Sequence, residues 1–385
     1  MTDTAQYRVE FITSLDQIAP QAWHAVTGTD YPFLRHEFLH GLETSGCTTA
    51  ESGWQPCHAL LRDGETLAAV LPMYLKSHSY GEYVFDWAWA DAWQRVGLDY
   101  YPKLLSAIPF TPATGPRLCR APGLAADEAW PLLLQGIRQL ARRRQLSSWH
   151  LLFPDQQTAD NLYALGLPRR LATQFHWLNR GYGSFDDFLA TFSSRKRKNL
   201  RRERARVAEQ GIALRRLRGA QITPALWRQF HRFYQLTYAK RSGHGGYLSR
   251  EFFTEVAPAL GEQVMMAVAE REGEAVAAAL YFCSDDTLFG RYWGCEREFD
   301  CLHFEACYYQ GIEFCIEQGL SRFDPGAQGE HKIQRGFTPV YTYSNHWIAE
   351  PELAAAVADF TERETAHVEQ YRAQAAELLP FKQNG

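Results

Sequence analysis

No apolar run in the chain approaches the ~18–20 residues that a membrane-spanning helix requires. The start, Met1-Thr2-Asp3-Thr4-Ala5-Gln6-Tyr7, lacks a charged segment leading into an apolar one, so no secretory signal is visible and a cytoplasmic protein is expected. Low-complexity tracts are missing as well. There is no large excess of either charge: the net value of -4 excludes a globally basic nucleic-acid binder, though not a local basic patch. The eight cysteines contain no Cys-x-x-Cys pair. Five of them, Cys283, Cys295, Cys301, Cys307 and Cys315, gather around His303, but their spacings match no common zinc pattern, and no metal site is expected. Without a signal segment they read as thiols, Cys307 and Cys315 as small buried hydrophobes.

What is present begins with a repeat. Arg62-Asp63-Gly64-Glu65-Thr66-Leu67-Ala68-Ala69-Val70-Leu71 recurs as Arg271-Glu272-Gly273-Glu274-Ala275-Val276-Ala277-Ala278-Ala279-Leu280, with six identities. Each copy has an acidic residue and a glycine between two apolar, strand-like runs, which signals a hairpin. The copies lie more than half the chain apart, too far for a solenoid period. In 385 residues this suggests two related domains, 1–180 and 181–385, with a ligand cleft between them, or two hairpins alike by chance. Strand-like and helix-like segments alternate in the same order in both halves. The fold class expected is α/β (α+β), with mixed, mainly antiparallel sheets and flanking helices. A long helix is expected over 351–379.

The segment Ser194-Arg195-Lys196-Arg197-Lys198-Asn199-Leu200-Arg201-Arg202-Glu203-Arg204-Ala205-Arg206 carries eight Arg/Lys against one Glu. Leu200 and Val207 leave a narrow apolar seam on a helix over 194–208, so the cations fan outward. Arg195, Lys196, Lys198 and Arg201 are the candidates for holding an anionic donor, a nucleoside diphosphate or a tRNA backbone. The alternative is a solvated helix paired with acidic surface.

The densest chemistry runs Phe323-Asp324-Pro325-Gly326-Ala327-Gln328-Gly329-Glu330-His331-Lys332-Ile333-Gln334-Arg335. Asp324 closes a strand, and a helical turn from Glu330 aims free N–H groups at an anion or oxyanion. Glu330 and His331 are candidate bases, while Lys332 and Arg335 are candidate holders of phosphate or carboxylate. Glu305, beginning a helix beside His303, reads equally as a base or as a charge favoured by the helix dipole. Asp86 and Asp91, set among tryptophans that include Trp87, suit a cationic amine or hydrogen bonds to indole N–H groups.

The segments Glu82-Tyr83-Val84-Phe85-Asp86-Trp87-Ala88-Trp89-Ala90-Asp91, Tyr101-Pro102-Lys103-Leu104-Leu105, Gly290-Arg291-Tyr292-Trp293-Gly294, His303-Phe304-Glu305 and Gly326-Ala327-Gln328-Gly329-Glu330-His331-Lys332 together resemble the FemAB-like family of N-acyltransferases. That family is labelled for peptidoglycan biosynthesis or recognition and belongs to the GNAT superfamily. The resemblance implies tandem GNAT-like domains and transfer of an acyl group to an amine acceptor, with acyl-CoA as co-substrate or, as in Fem-type peptidyltransferases, a charged tRNA as donor. It places the donor at a splay between a strand over 287–293 and one over 321–324. The site residues expected are substrate contacts at Asp86, Trp87, Asp91, Tyr292, His303, Asp324 and Gln328, with catalysis by Glu305, Glu330, His331 and Lys332. The spaced glycines of the GNAT pyrophosphate signature are not found between Gly294 and His303. A non-catalytic ligand-binding module is the reading from another class.

Overall fold

The computed structural model describes residues 7–382 except Gln328. The chain divides into two compact units, one made of the residues through Ala172 with Tyr341–Gln370, the other of Thr173–Val340 with the residues from Tyr371 onward. This differs from a single cut near residue 180. The strands Arg169–Leu178 and Thr338–Ile348 each run from one unit into the other, so the chain enters the second unit and returns.

In the first unit, Tyr7–Ile12, His58–Asp63, Thr66–Leu71 and Cys119–Arg120 form a four-stranded antiparallel sheet. Further strands, Trp54–Pro56, Tyr74–Lys76, Lys103–Ser106 and Ser148–Leu152, are joined by residues 344–348. Within this set only Lys103–Ser106 and Ser148–Leu152 pair in parallel. The helix Ala126–Arg144 connects those two, as a parallel crossover demands. Asp127 and Glu128 occupy its first turn and Arg142, Arg143 and Arg144 its last, both favoured by the helix dipole. Its face of Trp130, Leu133, Leu134 and Ile137 packs with Leu61, Trp149 and Leu151 in the core.

The second unit repeats this order. Ile212–Arg218, Val264–Arg271, Glu274–Cys283 and Thr287–Cys295 form an antiparallel meander. A helical segment follows, and Arg322–Asp324 then pairs in parallel with the start of Thr287–Cys295. Both units thus show the expected α/β character, with mainly antiparallel sheets and flanking helices. The parallel pairing runs Thr287↔Arg322, Leu288↔Phe323 and Phe289↔Asp324 and then stops, so the two strands part at Asp324. The helix expected to begin beside His303 is broken: Leu302–Phe304 and Gln310–Gln318 flank a π-helical turn, Glu305–Tyr309, a local irregularity often found at functional sites.

Hairpins stand at both repeat positions, but not in the register of the sequence match. Asp63↔Thr66 closes the first and Arg271↔Glu274 the second, a shift one residue shorter than the one that aligns the identities. The bulges agree with this shift, falling between Leu61 and Arg62 and between Ala269 and Glu270. Turn chemistry explains the slip. In the first turn the positive φ (56°) falls on Gly64, its first central residue, as in a type II′ turn. In the second, Glu272 (56°) and Gly273 (84°) are both positive, the type I′ pattern.

Candidate active site

The second unit gathers its chemistry where Thr287–Cys295 and Arg322–Asp324 part. Asp324 is buried, and its two carboxylate oxygens accept from Arg291 Nη1 at 3.2 Å and Nη2 at 2.7 Å. Its Oδ1 also accepts the Gly326 N–H at 2.9 Å, which shapes the turn, and lies 3.6 Å from His176 Nε2. Burial alone would raise this carboxyl, but the Arg291 charge outweighs it and holds Asp324 well below the usual carboxylate range. His176 is lowered too, to about 4, in its case by burial.

The turn Glu330–Arg335 follows, with Lys332 facing inward. Lys332 is 1 % exposed, and its Nζ donates to the Gly326 carbonyl at 2.6 Å. An ammonium carries three donors, and among the described residues the other two meet no acceptor. Burial lowers Lys332 to about 8, with Asp324 opposing the shift. His331 is exposed on this turn; its Nε2 and the Tyr308 hydroxyl lie 2.8 Å apart, and partial desolvation together with the Arg335 charge lowers this imidazole to about 4. Gly329, at φ 111°, lets the chain pass beside that ring: a Cβ there would lie 2.3 Å from His331 Cε1. His303, lowered to about 3 by burial, packs edge-on against Trp293 and Tyr308.

Other candidates are placed differently. Glu305 is buried, with both oxygens engaged: Arg204 Nη2 donates to Oε1 at 2.9 Å, Arg204 Nε to Oε2 at 3.0 Å, and Gln310 also donates to Oε1. Its observed role is that of an ion-pair partner inside the π-helical turn. Glu330 is exposed and accepts from Tyr371. Arg335 is bound by Glu203 at 2.7 Å and lies over the Phe304 ring, so its charge already has a partner. Tyr292 packs against Tyr234, Phe252 and Phe253 in an aromatic cluster. Gln328 lies outside the described residues.

The basic helix, Ser194–Glu209, is partly neutralised from within. Arg201 pairs with Asp186, Arg204 with Glu305 and Glu313, Arg206 with Asp300, and Lys196 donates to Gln334. Arg195, Lys198 and Arg202 have no partner among the described residues, and their i, i+3, i+7 spacing puts them on one exposed face.

The aromatic segment of the first unit encloses a second polar cluster, which the sequence only half disclosed. Asp86 is buried before the helix Trp87–Arg95, whereas Asp91 is exposed on it, so the two aspartates do not form one site. Asp86 Oδ2 accepts from Lys103 Nζ at 2.5 Å and from the Tyr100 hydroxyl at 2.6 Å. Lys103 also donates to Glu82 at 2.8 Å and Ser79 at 2.9 Å. The chain of contacts runs on from Tyr100 to His150 Nε2 (3.1 Å), and from His150 Nδ1 to His346 Nδ1 (2.7 Å). Lys76, Lys103, Glu82, Tyr100, His150 and His346 were not among the expected site residues. A lone lysine inside an otherwise apolar strand, as in Tyr74-Leu75-Lys76 or Lys103-Leu104-Leu105, was the available signal.

Among solved structures, FemX is 12% identical at a TM-score of 0.53, over 91% of this chain and 100% of FemX. A conserved protein of unknown function from Bacteroides thetaiotaomicron VPI-5482 is 12% identical at 0.51, over 88% of this chain and 99% of that one. A tandem GNAT protein from the clavulanic acid biosynthesis pathway is 12% identical at 0.48, over 90% of this chain and 99% of that one. At such identities the likeness to the first two is one of fold alone. No curated protein matches the chain. The model of the FemAB-like family, described as peptidoglycan biosynthesis/recognition, matches residues 14–383, and the chain belongs to that family.

Proposed function

We propose that this FemAB-like chain is a transferase that moves an acyl group from an acyl-CoA to an amine, with its transfer site where the strand pair parts in the second unit. The observation that carries the reading is Lys332: a buried ammonium with two donors that meet no acceptor among the described residues, beside a fixed Asp324–Arg291 pair. Donors that need no reorganisation stabilise a developing oxyanion best in a site that excludes water. Lys332 therefore meets the tetrahedral oxyanion. His331, neutral at pH 7 and steadied by Tyr308, accepts the proton lost by the attacking amine. Asp324 and Arg291 neutralise each other and set the position of the Gly326 carbonyl that holds Lys332.

The exposed triad Arg195, Lys198 and Arg202 favours a second reading, in which the donor is an aminoacyl-tRNA and the acceptor a cell-wall precursor. Incubation of the purified protein with acetyl-CoA, longer acyl-CoAs or charged tRNA, each with a panel of amines, followed by mass spectrometry, tests both. N-acylated product that is lost in Lys332→Ala and reduced in His331→Ala supports the site. Product from charged tRNA alone selects the second donor. Ligand binding without product from any donor would mean a binding module instead.

A further inference from the structure

The four-stranded sheet of the first unit has an open margin that the transfer chemistry leaves unused. The sheet ends at Tyr7–Ile12, which pairs with His58–Asp63 and, among the described residues, with no strand on its other side. That pairing is regular from Tyr7↔Asp63 to Ile12↔His58, without proline or bulge. Only alternate residues of an antiparallel strand turn their N–H and C=O groups to the neighbour, and the others direct theirs outward. The six residues therefore present about 20 Å of regular edge whose outward groups have no strand partner.

A cavity of about 690 Å³ runs along this margin, inside the roughly 300–1,000 Å³ usual for binding sites. Tyr7, Arg8 and Val9 all line it. Successive side chains of a strand point to opposite faces, so a cavity that meets all three passes around the free edge. Its other wall is the helix Ala126–Arg144. There Leu132, Gly136 and Leu140 form one row, and Gln135, Gln139 and Arg143 the adjacent one, each at a spacing of four residues. Gly136 lets the helix lie against the strand, since a Cβ there would come within 2.6 Å of Val9 Cγ1. The polar row borders the same cavity as the edge. Gln135, Gln139 and Arg143 are exposed and meet no hydrogen-bond or ion-pair partner among the described residues.

The charges choose the occupant. The Arg8 side chain is 70% exposed, and the acid nearest it, Glu10 at 3.8 Å, is already held by Arg62 at 2.6 Å. Arg143 adds a second cation, with Arg142 and Arg144 beside it in the chain, whereas Glu65 is the one acid in the lining. A second copy of this chain would bring the same arginines to a two-fold contact, cation against cation. An extended peptide with carboxylate side chains satisfies edge and wall together. Its backbone continues the ladder, one of its faces meets Leu132, Leu140 and Arg143 on the helix, and the other meets Arg8.

The geometry points to Tyr7–Ile12 as a docking edge for an acidic peptide in extended conformation, which adds to the sheet as a further strand in the groove beside Gln135, Gln139 and Arg143. The site is independent of the acyl-transfer reading. The probe is a fluorescein-labelled hexapeptide of alternating Val and Glu, followed by anisotropy on the full chain, with a hexapeptide of alternating Val and Lys as control. Saturable binding at least tenfold tighter than that of the control is expected. Arg8→Glu and Arg143→Glu should each weaken it at least tenfold at unchanged Tm, since both side chains are exposed. One edge of the added strand faces the sheet, so N-methylation of one alternate set of peptide amides should abolish binding while methylation of the other set spares it. Lys332→Ala must leave binding intact. No saturation at millimolar peptide, equal binding of the control, or indifference to both arginine variants or to the position of methylation overturns the proposal. A concentration-dependent dimer of the chain that excludes the peptide assigns the edge to a second copy and overturns it equally.

Discussion

Replacing Lys332 with Met should make the protein more stable and less active at once. Burial lowers the amine from its ordinary 10.5 to about 8. A displacement of that size means that holding the ammonium in place at pH 7 costs about 3 kcal/mol relative to water, at ~1.4 kcal/mol per unit. Met fills a similar volume without that cost. Against this, the Gly326 carbonyl loses a donor, worth about 1 kcal/mol, and Asp324 loses a nearby positive charge. A net gain of about 1–2 kcal/mol is therefore expected, read as a higher urea midpoint at unchanged m. Activity should fall by ~10²–10³ in kcat, the usual consequence of removing one oxyanion donor. The pH profile supplies an independent check: wild-type rate should decline above about pH 8 as Lys332 loses its proton, while Lys332→Arg, charged throughout, should retain whatever rate it has to higher pH. A Lys332→Met protein that is destabilised by more than about 1 kcal/mol, with activity lost only in proportion to unfolding, would refute the reasoning and make Lys332 a structural residue.

Three further outcomes are expected. Arg204→Met should destabilise the second unit by about 3 kcal/mol, because Glu305 is left as an uncompensated buried charge, and adding Glu305→Leu should recover most of the loss in denaturant melts. Combined replacement of Arg195, Lys198 and Arg202 by Gln should leave Tm unchanged but flatten the salt dependence of tRNA binding by up to about three ions in filter-binding assays; an unaltered slope would remove this face from donor binding. Burial holds His150 and His346 well below the ordinary imidazole range, so below about pH 6.5 the unfolded chain binds protons that the folded chain refuses. Stability should therefore drop on acidification, by up to ~1.4 kcal/mol per pH unit for each histidine, and His346→Gln should reduce that slope in urea melts at pH 7, 6 and 5.

Local features were legible in the sequence where their causes are local. The hairpins follow from Gly64 and Gly273. The turn carrying Lys332 was likewise expected from its glycines. Partnerships made over long distances were not legible. Glu305 looks available until Arg204, 101 residues earlier, takes both oxygens. Nor does sequence periodicity show that Lys76 and Lys103 point inward, because burial of a lysine depends on a carboxylate supplied by another segment. The π-helical turn left no mark, since its extra residue falls within an apolar run that reads as plain helix.

The two turn types reach beyond local geometry. In a pleated strand, successive side chains point to opposite faces, so an offset of a single position exchanges the two faces. Superposing the units by their shared letters would lay Leu61 on Glu270 and turn each hairpin inside out against the other, whereas the bulges pair Leu61 with Ala269 and Arg62 with Glu270. Any transplant of one hairpin into the other unit has to be cut at the bulge, with its own glycine carried along, if the core-facing residues are to arrive on the core side.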